Sequence, residues 1–342
     1  MGAKVLLVRL SSLGDVILAT SAVEALREDA PGAEVHVLTK PVFREVFRQN
    51  PGVSRVLEWL PADGLGPLSP LSRLVRSEGY GWIVDLHRNL RTALLRAAVR
   101  GPRWRAYSKG TLRRRAAVWF HRPELLESAH VVDRYVAALR PLGVRPQRRL
   151  PRVYPDEAQR GQALETLALA GWGGAAPPIA LAPGARWRTK AWPREHWSEL
   201  MGRIGEKGAG FPVLVGGAED EALCREIGES CGGPRADLAG KTSILETAAV
   251  LQVCSALVTG DSAPLHLATA VGTPVVALFG PTVRGFGFYP LGPRDILLEK
   301  ALPCRPCSLH GDDVCPEGHH SCLRELAPAD VFRSLEELLA GG

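Results

Sequence analysis

A chain of 342 residues is longer than one hydrophobic core usually supports, so two domains are expected. Apolar residues make up 46% of it, which excludes a disordered chain. The sequence has no run of about 18 apolar residues and enters a strand directly without a charged leader, so a soluble cytoplasmic protein is expected. The net charge of +6 is unevenly spread: residues 86–123 carry eleven Arg or Lys and no Asp or Glu. That asymmetry points to an anionic partner, whether nucleic acid, an anionic membrane surface or a phosphorylated acceptor.

The elements alternate. A strand over 4–10 leads through the turn Ser11-Ser12-Leu13-Gly14-Asp15 into an amphipathic helix to about residue 27. Further strands are predicted at 34–39, 53–59 and 83–86, the last followed by His87-Arg88-Asn89-Leu90-Arg91 and an Arg-studded helix. Residues 102–123 read as irregular and basic, with Trp104, Tyr107, Trp119 and Phe120 interleaved, and 131–142 as a helix ended by Gly143. After a Pro- and Arg-rich stretch at 146–155 and a helix over 156–169, the clearest break is at 171–178, where the domain border is expected.

The second half restarts the alternation. Strands are predicted at 179–182, 212–215, 257–259 and 275–279, and helices at 194–205, 219–227, 243–253, 264–271 and 329–339. Strands separated by helices make a parallel, doubly wound sheet, and there are two such halves. A cleft between them would suit a ligand held by one half and a second substrate by the other.

The stretch 256–282, ALVTGDSAPLHLATAVGTPVVALFGPT, is one βαβ unit. Ser262 stands where an N-cap belongs and Pro264 lies in the first helical turn, so free backbone N–H groups open onto the loop as a ready anion site. Asp261 in the same turn suits hydroxyl groups, so a phosphate bearing sugars is the ligand described best. On local pattern alone the same residues also read as an ordinary capped crossover helix. His266 reads either as a group orienting a phosphate or Asp261, or as a satisfied helical histidine. The loop 183–193 places Arg186, Arg188 and Lys190 directly after a strand, where cations can neutralise a leaving diphosphate or merely meet solvent. By position alone, Asp15 is a carboxylate in a helix's first turn.

DSAPLHLATAVGTPVVALFGPT resembles the nucleotide-sugar signature of the bacterial lipopolysaccharide heptosyltransferases, glycosyltransferase family nine. SSLGD, DLHRNLR, TKAWP, GGAEDE and LAGKTS match that family in the same order. The resemblance implies a GT-B fold: an N-terminal acceptor domain (1–170), a C-terminal nucleotide-sugar domain (171–327) and a last helix (328–342) crossing back onto the first. It implies inverting transfer of heptose from ADP-heptose to an anionic Kdo-lipid A or heptosylated core acceptor at the inner face of the inner membrane, with no cofactor required. Asp15 would be the general base. Lys190, Glu221 (with Glu219 competing), Thr242, Asp261, Ser262, Ala263 and His266 would bind the donor. Ala263 departs from the family's usual Gly, so its methyl would crowd the diphosphate approach. Ser11, Arg88, Arg91, Arg113, Arg114 and Arg115 would meet the acceptor.

Other classes compete. A nucleotide-sugar epimerase would need no docking face for an anionic acceptor. A nucleic-acid binder would use the aromatic-studded 86–123 patch but leaves the donor-type loops unexplained, so no nucleic acid is expected. Cys304, Cys307, Cys315 and Cys322 lie within 19 residues. They read as a structural zinc site or two disulfides, disulfides being disfavoured in the cytoplasm, and no part in the chemistry is expected of them.

Overall fold

Short apolar runs with both faces buried are the mark of parallel strands flanked by helices, and they build both sheets of the computed structural model, which describes residues 3–60, 69–127 and 129–341. The first sheet uses β1 (Lys4–Val8), β2 (Glu34–Thr39), β3 (Arg55–Glu58), β4 (Trp82–Asp85) and β5 (Arg103–Ala106). Its order is β3-β2-β1-β4-β5, every pair parallel. The intervening helices are α1 (Leu13–Asp29), α2 (Glu45–Arg48), α3 (Pro70–Ser77) and α4 (Leu90–Ala98). α5 (Thr111–Trp119) and α6 (Val131–Ala137) follow.

Helix α1 is not the amphipathic helix expected. It is buried on nearly every side from Gly14 to Leu26, because it lies between the sheet and α6. Its polar residues are matched internally: the Thr20 hydroxyl accepts from the Arg152 amide at 2.9 Å, and the Tyr154 hydroxyl donates to Glu24 at 3.0 Å. Those two bonds tie residues 152–154 to the first unit. Several elements escaped the sequence pattern: the one-turn α2, the Pro-started α3 capped by Ser69, β5, whose RWRA reads as basic loop but forms a sheet edge, α5, which forms inside the stretch expected to be irregular, and, further on, the strands Ala236–Asp237 and Ile296–Glu299 and the helix Ser321–Arg324.

The second sheet uses β6 (Pro178–Ala182), β7 (Phe211–Leu214), β8 (Ala236–Asp237), β9 (Ala256–Gly260), β10 (Val275–Phe279) and β11 (Ile296–Glu299). Its order is β11-β10-β9-β6-β7-β8, again parallel. With it go α7 (Glu157–Leu169), α8 (Arg194–Glu206), α9 (Glu221–Glu229), α10 (Ile244–Val253), α11 (Ala263–Val271), α12 (Ser321–Arg324) and α13 (Pro328–Ala340).

The chain divides into 1–109 with 131–154, and 110–130 with 155–342. The border thus falls before α7 rather than at 171, because α7 packs against α10. Residues 110–130, expected in the first domain, belong to the second unit. The helix expected to cross back, α13, sinks Val331, Phe332, Leu335 and Leu338 into the second unit's own core beside Trp197, Leu200 and Leu278. Each such side chain contributes roughly 1.5–3 kcal/mol on full burial. No helix among the described residues is long and apolar enough to cross a membrane.

Candidate functional site

In a doubly wound sheet the ligand crevice opens at the carboxyl ends of the strands where the order reverses. In the first unit those strands are β1 and β4. Arg9, just past β1, is 5% exposed. Its guanidinium donates to the Leu86 carbonyl beyond β4 and forms an ion pair with Asp15 Oδ2 at 2.5 Å. Ser12 Oγ donates to the same carboxylate oxygen at 3.1 Å, and the Tyr135 hydroxyl, from α6, reaches Oδ1 at 3.4 Å. Burial alone would depress the Arg9 guanidinium, but Tyr135, Asp15 and Tyr107 hold it above its ordinary value, so it stays charged. Asp15, in the first turn of α1, keeps 21% of its side chain exposed. A carboxylate fixed by a buried cation and two hydroxyls, with one face accessible, can orient a hydroxyl and take its proton.

Around it lie two basic groups whose hold on a proton is weakened. Burial, Arg9 and Lys109 bring His87 down to about 4, leaving it neutral. Burial and Arg9 lower Lys109, whose ammonium donates to the Arg88 carbonyl at 2.7 Å. The Asp85 carboxylate accepts from the His87 and Arg88 amides at 2.9 and 2.7 Å. This turn carries Arg88 at φ 51°, and Arg88 donates onward to the Tyr107 carbonyl at 3.2 Å.

Ser11, whose backbone bonds His87, and Arg88, whose carbonyl accepts from Lys109, are thus each bonded to one of these two basic groups. Arg91 instead stacks over Trp59 at 5.7 Å. Arg113, Arg114 and Arg115 ride on α5 in the second unit, so the basic run is divided between the units rather than forming one acceptor patch in the first. Arg113 pairs with Glu127. Arg114 donates to the Phe286 carbonyl and lies 5.3 Å over the Phe288 ring, which makes it an anchor for α5. Arg115 is exposed.

In the second unit the order reverses between β6 and β9. Lys190, in the short turn 188–190 after β6, places its ammonium 2.6 Å from Asp261 Oδ2, and the Thr282 hydroxyl donates to that oxygen at 2.7 Å. Asp261 follows β9 and Thr282 follows β10, so three strand ends converge on one carboxylate. Asp261 is thus engaged by a cation as well as a hydroxyl, where hydroxyl ligands alone were expected of it.

Ser262 occupies the cap position of α11 but makes no cap bond with its side chain; its hydroxyl lies 3.1 Å from that of Thr259. Ala263 is the first residue of α11 and is absent from the positive-φ residues, so its methyl meets no backbone strain. His266 is 5% exposed and packs 6.3 Å from the Phe288 ring.

Beyond β7, Glu221 is exposed and its carboxylate lies where a Cβ on Gly240 (φ +70°) would stand. Its neighbour Asp220 turns inward beneath Gly184 and Gly216 and accepts from the Gly217 amide at 2.9 Å. Burial raises this acid above its ordinary range. Thr242 bonds Thr247 at 2.8 Å, inside the start of α10. Glu221, Gly240 and Thr242 therefore share the carboxyl ends of β7 and β8.

All four cysteines of the 304–322 loop are free thiols, and among the described residues no three His, Cys, Asp or Glu are placed to hold a metal. Burial pushes Cys307 and Cys322 up to about 11. The loop thus shows neither disulfides nor a zinc-ligating arrangement.

Sequence reasoning missed Arg9 and Tyr135, which carry no motif, and Thr282, which closes the quoted FGPT but was given no role.

The model of "Glycosyltransferase family 9 (heptosyltransferase)" matches residues 69–315. Lipooligosaccharide heptosyltransferase 2 of Haemophilus influenzae is 27% identical over 98% of this chain and 99% of its own. Lipopolysaccharide heptosyltransferase 1 of Pseudomonas aeruginosa is 28% identical over 89% and 86%. Among solved structures, a family 9 glycosyltransferase of Veillonella parvula superposes with a TM-score of 0.83 at 24% identity, covering 99% and 98% of the two chains. E. coli ADP-heptose LPS heptosyltransferase II gives 0.76 at 22%, covering 99% of each. The structural likeness establishes the GT-B fold, and because the family model runs from α3 of the first unit through both switch points' later strands to the cysteine loop, the chain belongs to glycosyltransferase family 9, the heptosyltransferases.

Proposed function

We propose that this chain transfers heptose from ADP-heptose to the inner core of lipopolysaccharide with inversion, Asp15 serving as general base. The acceptor hydroxyl attacks the anomeric carbon, the bond to ADP breaks, and Asp15 takes the hydroxyl proton. The observation that carries this reading is the pinned carboxylate: Arg9 at 2.5 Å, Ser12 at 3.1 Å and Tyr135 at 3.4 Å leave Asp15 little freedom while part of it faces outward. On the donor side, Lys190 and the N-terminus of α11 supply positive charge for the leaving diphosphate without calling on a metal. Glu221 and Thr242 stand by the strand ends where the nucleoside would lie. Ser11, Arg88 and Lys109 offer an anionic acceptor donors next to the base.

The exposed face of α5 and its end, with Leu112 at 82%, Trp119 at 81% and Phe120 at 62% exposure among Arg113, Arg115 and Arg122, suits the inner leaflet, where the acceptor's lipid lies.

The test is turnover of ADP-heptose with truncated core acceptors. Asp15→Asn keeps the shape, so turnover falls about 10²-fold or more while ADP-heptose affinity and melting temperature stay near wild type. Turnover within a few-fold of wild type removes Asp15 from the mechanism.

A further inference from the structure

The 304–322 loop, with its four cysteines, has no part in the reading above, yet its contacts run to the donor lysine. Thr189, the middle residue of the turn that carries Lys190, is 5% exposed. Its amide donates to the Asp312 carbonyl at 3.0 Å. Its hydroxyl donates to that carbonyl and accepts from the Asp312 amide, both at 2.8 Å. Its own carbonyl lies 2.9 Å from His320 Nε2, which must therefore carry the proton. Every polar group of Thr189 is met by the loop.

The opposite side of the turn rests on strand ends that lack side chains. A Cβ at Gly260 would lie 3.3 Å from the Lys190 carbonyl oxygen, and one at Gly280 would lie 3.2 Å from that of Thr189. The loop is itself fastened to the same strand end. Arg305, 6% exposed, donates to the Gly280 carbonyl at 2.6 Å and the Thr282 carbonyl at 2.7 Å. Thr282 in turn holds Asp261. The turn is thus gripped between the cysteine loop and the ends of β9 and β10.

We infer that Thr189 and His320 are positioning residues, through which the cysteine loop fixes the 188–190 turn and so holds the Lys190 ammonium where the donor diphosphate meets it. This rests on the reading of Lys190 as the diphosphate's cation. A lysine is a point charge on a flexible stem, and electrostatic help to a leaving group is large only when the charge is already in place. The pairing with Asp261 fixes the ammonium end of that stem. The grip on Thr189 fixes its root, to which Lys190 itself adds only the bond from its amide to the Trp187 carbonyl at 2.9 Å, inside the same turn. The loop's role is accordingly in ground-state order at the donor site, and the acceptor side is indifferent to it.

The experiment uses the full chain, ADP calorimetry and turnover with ADP-heptose and a truncated core acceptor. Thr189→Val, which keeps shape but loses both hydroxyl bonds, raises the KM for ADP-heptose and the Kd for ADP about tenfold and leaves the acceptor KM unchanged. Thr189→Ser restores both. His320→Ala repeats the donor effect at a less buried position and serves if the valine variant fails to fold. Combined with Lys190→Met, Thr189→Val adds nothing further, since both act on one group. Donor constants within twofold of wild type in folded Thr189→Val and His320→Ala, with Lys190→Met clearly impaired, overturn the positioning role and spare the donor site. Unchanged ADP affinity in Lys190→Met removes the donor reading and this inference with it.

Discussion

Replacing Arg9 by Met is the sharpest perturbation of the first unit, because it removes the charge and leaves a stem of similar bulk. The side chain is 6% exposed and its partner Asp15 21%, so the change strands a largely buried carboxylate. Breaking such a pair from one side costs roughly 3–5 kcal/mol. The exposed part of Asp15 takes up water, and Ser12 and Tyr135 keep their contacts, which places the cost near the lower end, about 3 kcal/mol. The Leu86 carbonyl loses its donor as well, at about 1 kcal/mol. For a unit of this size the sum corresponds to a fall of about 15 °C in its melting transition. Turnover falls at least about tenfold, since the carboxylate is no longer held against its hydroxyl partners, whereas ADP affinity does not move. Arg9→Lys falls between, because one ammonium cannot serve both the Leu86 carbonyl and Asp15 in the fork geometry of a guanidinium. Calorimetry and initial rates at saturating donor decide. A melting temperature within about 2 °C of wild type, together with turnover within threefold, would refute the idea that Arg9 holds the base.

Three further outcomes are expected. Arg113 and Arg115 changed together to Ser raise the acceptor KM and flatten its dependence on salt, Arg114 being left in place because it anchors α5; an unchanged salt slope refutes an anionic docking role. His87 is held neutral in the fold, down at about 4 against an ordinary 6.5. The unfolded chain therefore binds more protons below pH 6.5, and stability present above that pH is lost as pH falls from 6.5 towards 4. His87→Gln flattens this limb of a denaturation series, and an unaltered limb shows the histidine to be solvated. Cys224 and Cys254 are buried and pushed up to about 12, so neither reacts with an aromatic disulfide at pH 8 until the chain unfolds; prompt labelling of either, read by mass spectrometry, contradicts that burial.

The parts of this fold legible in the sequence are those fixed by local chemistry. Strands β1, β2, β4, β6, β9 and β10 are apolar runs bounded by turn residues, and the βαβ unit around Asp261 announces itself through its proline, its glycines and the buried strand that follows. The domain border was not legible, since the Gly-rich 171–178 break is locally stronger than the 154/155 junction. The packing of α7 against α10, which starts some seventy-five residues after α7 ends, decides the matter. The same holds for α13: its apolar stripe is plain in the sequence, but the core that receives it is not. β5 was lost because an edge strand tolerates Arg and Trp where a central one would not.

The site divides along the same line. Lys190 and Asp261 could be named from motifs, but their meeting at 2.6 Å joins residues seventy-one positions apart. Arg9 looks in the sequence like any charged residue at a strand end; only the sheet order that puts β4 beside β1 delivers the Leu86 carbonyl to one side of its guanidinium and α1 delivers Asp15 to the other. The glycines that hold the Lys190 turn likewise lie outside the position that the motif singles out. Ala263 sits in an ordinary helical turn where a methyl meets no backbone strain, whereas a Cβ added at Gly260 or Gly280 would stand 3.3 or 3.2 Å from the Lys190 or Thr189 carbonyl oxygen. Close approach between segments seventy or ninety residues apart leaves no periodicity behind.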